Sequence, residues 1–549
     1  MQGGETTKNG TMSNGKYDVI VVGGGIAGIA TALELVEKGR KVLLIDRDEE
    51  KNFGGLAKES FGGMFFVDSP QQRKAKIRDN ADLAYQDWCR FAEFGADDHI
   101  PRQWARTYIE RSVPDILEKV TARGVSFMPV VNWVERGQYQ PGNSVPRFHM
   151  VWGTGHRLAV TYRDALNACR ATGLITLLFR AKVTDLVREG GAVTGVAGVL
   201  EETGEAFEYC APITVLATGG INGNDAKIRE NWSADWGGEP PETLLNGSHK
   251  YADGVLHDRV RALGGQVTHM DLAWDYAAGV HHPRPRKPRH GLSLVPTKSS
   301  LWMDARGRRF GPEPLVSGYD TFELVRRVCQ QDHKYSWAIL NLKIALKELA
   351  ISGAEFNPAI RDRKLFSFLR TILFGNKPLV TDMLDHCVDF VTASSVPELA
   401  EKMNALGGGI PIDAEGMEAD IRTYDAQFDR PASLRNDEQI RRLTHLRQYR
   451  GDRVRMCKAQ KILDPKALPL IAIRQFVISR KSLGGMQTDL EGQVLNQAGA
   501  PLEGLYAVGE AAGFGGGGVH GKRALEGTFL GGCMLTSLYA AKSILKKVG

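Results

Sequence analysis

One run near the start restricts the fold of this chain more than any other: Tyr17 to Asp46, YDVIVVGGGIAGIATALELVEKGRKVLLID. Val19 to Val22 is short, apolar and β-branched, which predicts a buried parallel strand. Gly23, Gly25 and Gly28 follow as G-x-G-x-x-G. Ile26, Ile29, Ala30, Leu33 and Val36 then recur at helical spacing until Gly39 ends the helix. A second strand, Val42 to Ile45, ends on Asp46. In this order the first glycine permits a tight turn, the second lets backbone N–H groups approach a pyrophosphate, and the third lets helix and strand pack closely. The helix N-terminus turns its positive end to the phosphates, and Asp46 accepts hydrogen bonds from the adenosine ribose. A lone glycine pattern fits any turn; the complete strand, loop, helix, strand and acid predicts dinucleotide binding.

A chain of 549 residues is too long for one simple core, so two domains are expected. Apolar and charged contents of 42% and 24% are those of an ordinary globular protein, and a net charge of +6 is too small at this size to predict a nucleic-acid partner. Cys89, Cys169, Cys210, Cys329, Cys387, Cys457 and Cys533 are scattered with no C-x-x-C pair. That predicts reduced thiols in a cytoplasmic protein, with no disulfide framework and no zinc or iron–sulfur site. Residues 1–16 are polar and glycine-rich without an apolar segment and read as a disordered tail. No run reaches the roughly 20 apolar residues of a membrane span.

Along the chain, the glycine pairs at Gly54-Gly55 and Gly62-Gly63 predict backbone lying tightly against a ligand. Helical patterns cover Arg78 to Phe94 and Trp104 to Arg123. The aromatic stretch Trp133 to Thr154 is either a pocket wall presenting Tyr139, Arg147 and His149 or a loop folded on itself. Strands are expected at 175–180, 181–187, 193–200 and 206–209, and a buried strand at Ile213 to Leu216 runs into Ala217-Thr218-Gly219. Residues 276–450, with charged helical faces and a basic run from Arg284 to His290 expected to be a solvated loop, read as a domain inserted into the first, whose two parts are 17–275 and 451–549. Near the end, Leu505 to Val508 is another buried strand, and it runs into Gly509-Glu510. A carboxylate there accepts from ribityl hydroxyls, and the helix expected from about Ala524 stabilises negative charge on a reduced flavin. This second site favours FAD over NAD.

The motifs GGGIAG, GG-LAKESF-GGM, ATGG, ADG, GRRF-GPE, SLGGMQTD and GLYAVGEAAG-GGVHG occur in the order found in the fumarate reductase, succinate dehydrogenase and 3-ketosteroid dehydrogenase flavoproteins, which the chain resembles from Tyr17 onward. The resemblance implies an α/β fold, a Rossmann-like, glutathione-reductase-like FAD-binding domain carrying an inserted α+β cap. It implies FAD contacts from Gly23, Gly25, Ile26, Ala27, Gly28 and Asp46; from Gly55, Leu56, Ala57, Ser60, Gly62 and Gly63; from Val183, Ala217, Thr218 and Gly219; and from Gly509, Glu510, Ala524, Thr528 and Leu530. Leu56 stands where covalent members have histidine, so the FAD is expected to be noncovalent. Ala524 replaces the arginine acid of fumarate reductases and Lys481 their substrate-binding histidine, which argues against small dicarboxylates. The Y-P-G motif of ketosteroid dehydrogenases is missing, and Gly509-Glu510 replaces their Gly-Asn.

The chemistry expected by resemblance is hydride transfer between a carbon and flavin N5, with proton transfer at the neighbouring carbon, on CH–CH groups next to a carbonyl of a small-molecule substrate. His520, Tyr319 and Lys481 are the candidate catalytic residues. Arg309 and Glu313 are read as a structural pair. The alternatives are a 3-ketosteroid dehydrogenase, a fumarate-reductase-like ene reductase and an electron-transfer flavoprotein subunit. The electron acceptor is open.

Overall fold

The computed structural model describes residues 12–13 and 17–548. The expected tail lies outside the described residues except for Met12–Ser13, which runs parallel to Glu208–Tyr209 at a sheet edge.

The first body is built on a six-stranded sheet whose core is parallel. Ile213–Leu216, Val19–Val22, Val42–Ile45 and Ile175–Leu178 lie side by side, Pro501–Ala507 extends the sheet on one edge, and Gln493–Leu495 closes that edge antiparallel. The strands of the predicted unit are buried on both faces, which is why they read as unbroken apolar runs rather than alternating ones. Helix Ile26–Val36 packs against the C-terminal helix Thr528–Lys547, and the Ser537 hydroxyl donates to the Ala27 carbonyl at 2.8 Å across that contact. The two ends of the chain thus share one core with strands drawn from its middle.

The expected strands at 175–209 appear as Ile175–Leu178, Ala181–Glu189, Ala192–Leu200 and Ala206–Cys210, the last three forming an antiparallel sheet. Helices Ala81–Ala92 and His99–Arg111 lie within or across the stretches read as helical. The helix expected from Ala524 starts only at Thr528, because Gly527 sits at φ +99°, outside helical space.

The second body has its own antiparallel sheet and its own core. Its central strand is Leu470–Ser482, flanked by Ala273–His281 on one side and Tyr335–Asn341 on the other. Leu244–Asn246 adds a parallel strand to the same centre. This sheet reaches beyond the expected insert at 276–450 in both directions. Leu470–Ser482 is buried along most of its length and so looks in sequence like the strands of the first sheet, yet its partners lie in the second. The basic run is a loop with Arg284 and Arg286 exposed, and its charges are paired: Arg284 with Asp382, Arg286 with Glu355 and Arg289 with Asp225, while Lys287 donates to the Ser248 carbonyl.

Candidate active site

One large cavity opens between the two bodies, about 430 Å³ and lined from both. Its floor is the glycine loop. Gly23 to Ala27 line it, Asp46 closes one end, and the Asp46 carboxylate accepts from the backbone N–H groups of Gly24 and Asp48. Burial outweighs those bonds and raises the Asp46 pKa above the ordinary carboxylate value. Gly55 to Ala57, Ser60, Gly62 and Gly63 form a second wall, reached by an isolated bridge between Gly25 and Gly54. Val183, Ala217, Thr218 and Gly219 complete the side toward the small sheet, and Glu510 and Leu530 the side toward the C-terminal helix.

Several helices begin at this cavity, and three of those with a glycine N-cap and no side-chain cap start among the expected FAD contacts. The N-cap residues are Gly25 for Ile26–Val36, Gly54 for Gly55–Glu59 and Gly527 for Thr528–Lys547. First-turn N–H groups have no partner within a helix, so these termini are donors waiting for an acceptor. A diphosphate against the first and a flavin edge against the last meet that requirement, and Asp46 meets that of a ribose. The residues present therefore fit FAD.

The cap closes the other side with a polar cluster. The indole N–H of Trp274 donates to the Tyr276 hydroxyl oxygen at 3.0 Å, and Tyr276 donates to Glu526 at 3.0 Å. The strand Ala273–His281 shifts register against Leu470–Ser482 both between Trp274 and Asp275 and between Tyr276 and Gly279. Such bulges re-aim a side chain, and here Tyr276 reaches the cavity wall. Burial first, then the Glu526 charge, keeps its phenol protonated by raising its pKa well above the ordinary value. Lys481 holds its ammonium 4.1 Å from the centroid of the Phe529 ring; burial and the nearby Arg480 pull its pKa down. Glu510 accepts from the Ser482 N–H at 3.0 Å, and burial raises its pKa. The remaining cap wall is mixed: the apolar Leu294, Val295, Trp302 and Met456 stand beside the charged Lys298, Glu348, Asp452, Arg455 and Arg480.

Of the three candidate catalytic residues, only Lys481 lines the cavity. His520 is fully buried behind it, its ring stacked on Trp88 at 6.0 Å and flanked by Phe514 and Phe529. Its Nε2 meets the Thr528 hydroxyl at 2.8 Å, burial with the Lys481 charge lowers its pKa to about 3, which keeps the ring neutral, and its Nδ1 has no hydrogen-bond partner. Tyr319 lies in a small core with Val316, Leu443, Leu446 and Met456, its hydroxyl on the Arg442 carbonyl and His445, both at 3.3 Å. Neither side chain lines the cavity.

Four of the expected FAD contacts sit one layer back. Gly28 and Gly509 are spacers: a Cβ on Gly28 would collide with the Gly23 carbonyl oxygen, and one on Gly509 would crowd the Ala27 methyl at 2.7 Å. Ala524 is packed in the core, and Thr528 donates back to the Leu525 carbonyl at 2.6 Å. Arg147 and His149 are buried away from the cavity, Arg147 between Asp79 and Asp87. Arg309 pairs with Asp437, while Glu313 instead accepts from Gln138 at 3.1 Å. Tyr276 and Glu526 were missed in the sequence. Tyr276 sits inside a strand and Glu526 before Gly527 with no motif to mark either, and what unites them is a contact across 250 positions.

Fold and site together define an FAD-dependent oxidoreductase of two bodies. The chain belongs to the FAD binding domain family, whose model matches residues 18–530. It is 42% identical over 97% of its length to a KsdD-like steroid dehydrogenase of Mycobacterium tuberculosis, covering 96% of that protein, and 40% identical over 93% to one of Mycolicibacterium smegmatis, also covering 96% of it. Among solved structures, the 3-ketosteroid Δ1-dehydrogenase of Sterolibacterium denitrificans superposes with a TM-score of 0.69 at 17% identity, covering 97% of this chain and 99% of that one. A flavocytochrome c3 fumarate reductase superposes with 0.67 at 18%, covering 96% and 78%. The protein is an FAD-dependent dehydrogenase. No helix among the described residues is long and apolar enough to cross a membrane.

Proposed function

We propose that the substrate is a large apolar ketone of the steroid class, and that the reaction removes a hydride and a proton from adjacent carbons to leave a C=C bond conjugated with the carbonyl. The observation that carries this reading is the Trp274–Tyr276–Glu526 chain, whose Tyr276 and Glu526 line the cavity together with the apolar Leu294, Val295, Trp302 and Met456. FAD, held noncovalently by the uncapped helix termini and Asp46, supplies the hydride acceptor. The Tyr276 oxygen takes the proton from the carbon beside the carbonyl while its own proton passes to Glu526, and the Trp274 N–H holds the phenol in place. Lys481 donates to the carbonyl oxygen as negative charge develops there. The apolar part of the wall, Leu294, Val295, Trp302 and Met456, packs against the fused rings. Dicarboxylate reduction is disfavoured because the one arginine near the VHG motif, Arg523, is committed to Asp320 and Glu93.

The test is anaerobic mixing of the purified holoprotein with saturated and partly saturated 3-ketosteroids, and separately with succinate and NADH. Loss of the flavin absorbance with a ketosteroid, together with a ring alkene in the product, is the expected result. Reduction by NADH or succinate and by no ketosteroid overturns the proposal.

A further inference from the structure

The helix Leu365–Phe374, LFSFLRTILF, has no buried residue. Phe366 is 88% exposed and Phe374 78%, and Leu365, Leu369 and Leu373 are exposed beside them. Phe366, Leu369 and Leu373 fall at i, i+3 and i+7, so the apolar side chains form a stripe along one side of the helix rather than a scatter. The opposite side is anchored: Phe368 meets Trp152 edge-on at 6.0 Å, and the Lys347 ammonium donates to the Ile372 carbonyl at 2.8 Å. Isolated surface leucines are ordinary, whereas five large apolar groups on ten residues mark an interaction site.

Charge identifies the partner. Residues 361–377 carry Arg361, Arg363, Lys364, Arg370 and Lys377 against the single acid Asp362, which is shared by Arg361 and Lys364. Arg363, Arg370 and Lys377 have no ion pair among the described residues, and Arg370 lies between Phe366 and Phe374 on the exposed stripe. Two copies of this face brought together by a two-fold axis would oppose like charges, which works against a dimer here. An apolar stripe rimmed by cations suits a surface with hydrocarbon beneath and phosphate above.

The geometry points to a docking surface for an anionic phospholipid bilayer, on which the helix lies in the interface with its apolar side chains inserted and Arg363, Arg370 and Lys377 at the headgroups. The helix rests on the cavity wall. Phe368 and Trp152 pack on the cluster of Phe148, Met150 and Ile360, and Phe148 and Met150 also line the cavity. A lipophilic molecule leaving the bilayer at this point is one side-chain layer from the site. The docking itself stands whatever the substrate proves to be.

Full-length holoprotein is floated with vesicles of equal parts phosphatidylglycerol and phosphatidylcholine, and with vesicles of phosphatidylcholine alone, at low and high salt. Binding to the anionic vesicles, weakened by salt, is expected. Replacing the exposed stripe (Phe366→Ser, Leu373→Ser, Phe374→Ser) lowers the bound fraction at least about tenfold. The variant Arg363→Gln, Arg370→Gln, Lys377→Gln loses the preference for anionic vesicles. Retained FAD and an unchanged Tm show that both variants fold, as expected for exposed positions. The proposal is overturned if the wild type stays in solution with both vesicles, or if the serine variant binds as well as the wild type. It is equally overturned if the stripe instead holds a dimer that the serine variant dissociates without any vesicle binding.

Discussion

The phenol of Tyr276, on a cap strand, donates at 3.0 Å to the carboxylate of Glu526, in the turn before the C-terminal helix, so one hydrogen bond joins the two bodies at the cavity they share. Removing that hydroxyl tests both the junction and the chemistry. Tyr276→Phe is expected to lower kcat by about 10²- to 10⁴-fold, the range of a lost proton-transfer group, and to leave the Trp274 indole N–H without its acceptor. Glu526→Gln keeps a hydrogen-bond acceptor but not a base, and is expected to lower kcat while retaining FAD. Steady-state turnover of a ketosteroid with an artificial acceptor, alongside the flavin absorbance of each variant, measures both effects. Full turnover in Tyr276→Phe removes the phenol from the mechanism.

Lys481 is predicted to act only while charged. Burial and Arg480 pull its pKa below the ordinary lysine value, so in the folded protein it becomes neutral at a lower pH than a surface lysine would. The rate is expected to fall on the alkaline side as that proton leaves. Lys481→Met should lose about a hundredfold in kcat and abolish this alkaline limb. A pH–rate profile of the variant with the wild-type limb intact would assign the limb to another group.

The glycine loop offers a test of packing separate from chemistry. Gly28 does not touch the cavity; the space for its Cβ is taken by the Gly23 carbonyl oxygen and the Ala217 methyl. Gly28→Ala must move helix Ile26–Val36 off the sheet, a misfit of about 1–3 kcal/mol that lowers Tm by about 2–10 °C. Because the same helix start lines the cavity, FAD affinity measured by fluorescence quenching is expected to fall as well.

The FAD-binding half was legible because its determinants are local. Strand, glycine loop, helix and acid lie within Val19 to Asp46, and the loop can be read before any long-range contact is known. The cap was harder to bound. Leu470–Ser482 opens on the apolar run Leu470 to Ile473, similar in character to the strands of the other sheet, and only pairing with Ala273–His281 and Tyr335–Asn341 assigns it to the second body. Catalytic geometry was least legible. His520 and Tyr319 have chemically capable side chains, but burial behind Phe529 and among Leu443 and Leu446 is decided by packing that no motif encodes. Tyr276 reaches the wall through two register shifts, and register is a property of the pair of strands rather than of either one.

The buried Asp275 next to Tyr276 gives a prediction in stability. It is 2% exposed, accepts from the Arg480 N–H at 3.3 Å, and its Oδ2 has no hydrogen-bond partner. Burial raises its pKa from the ordinary carboxylate value to about 7. Between those two values the folded chain binds a proton that the unfolded chain has released, so the contribution of this group is fully favourable below the unfolded pKa and is lost as pH rises through the folded one. A side-chain amide in its place cannot ionise, so Asp275→Asn is expected to gain stability relative to the wild type across that window, by about 2–3 kcal/mol between pH 5 and pH 8. At pH 5 the two should be close, with the variant somewhat less stable because its amide N–H₂ meets the place where Oδ2 had no partner. Urea denaturation of both proteins at pH 5 and pH 8 measures the difference. A gap that does not change with pH would mean that Asp275 is ionised in the fold throughout, and that a counter-charge or water reaches it.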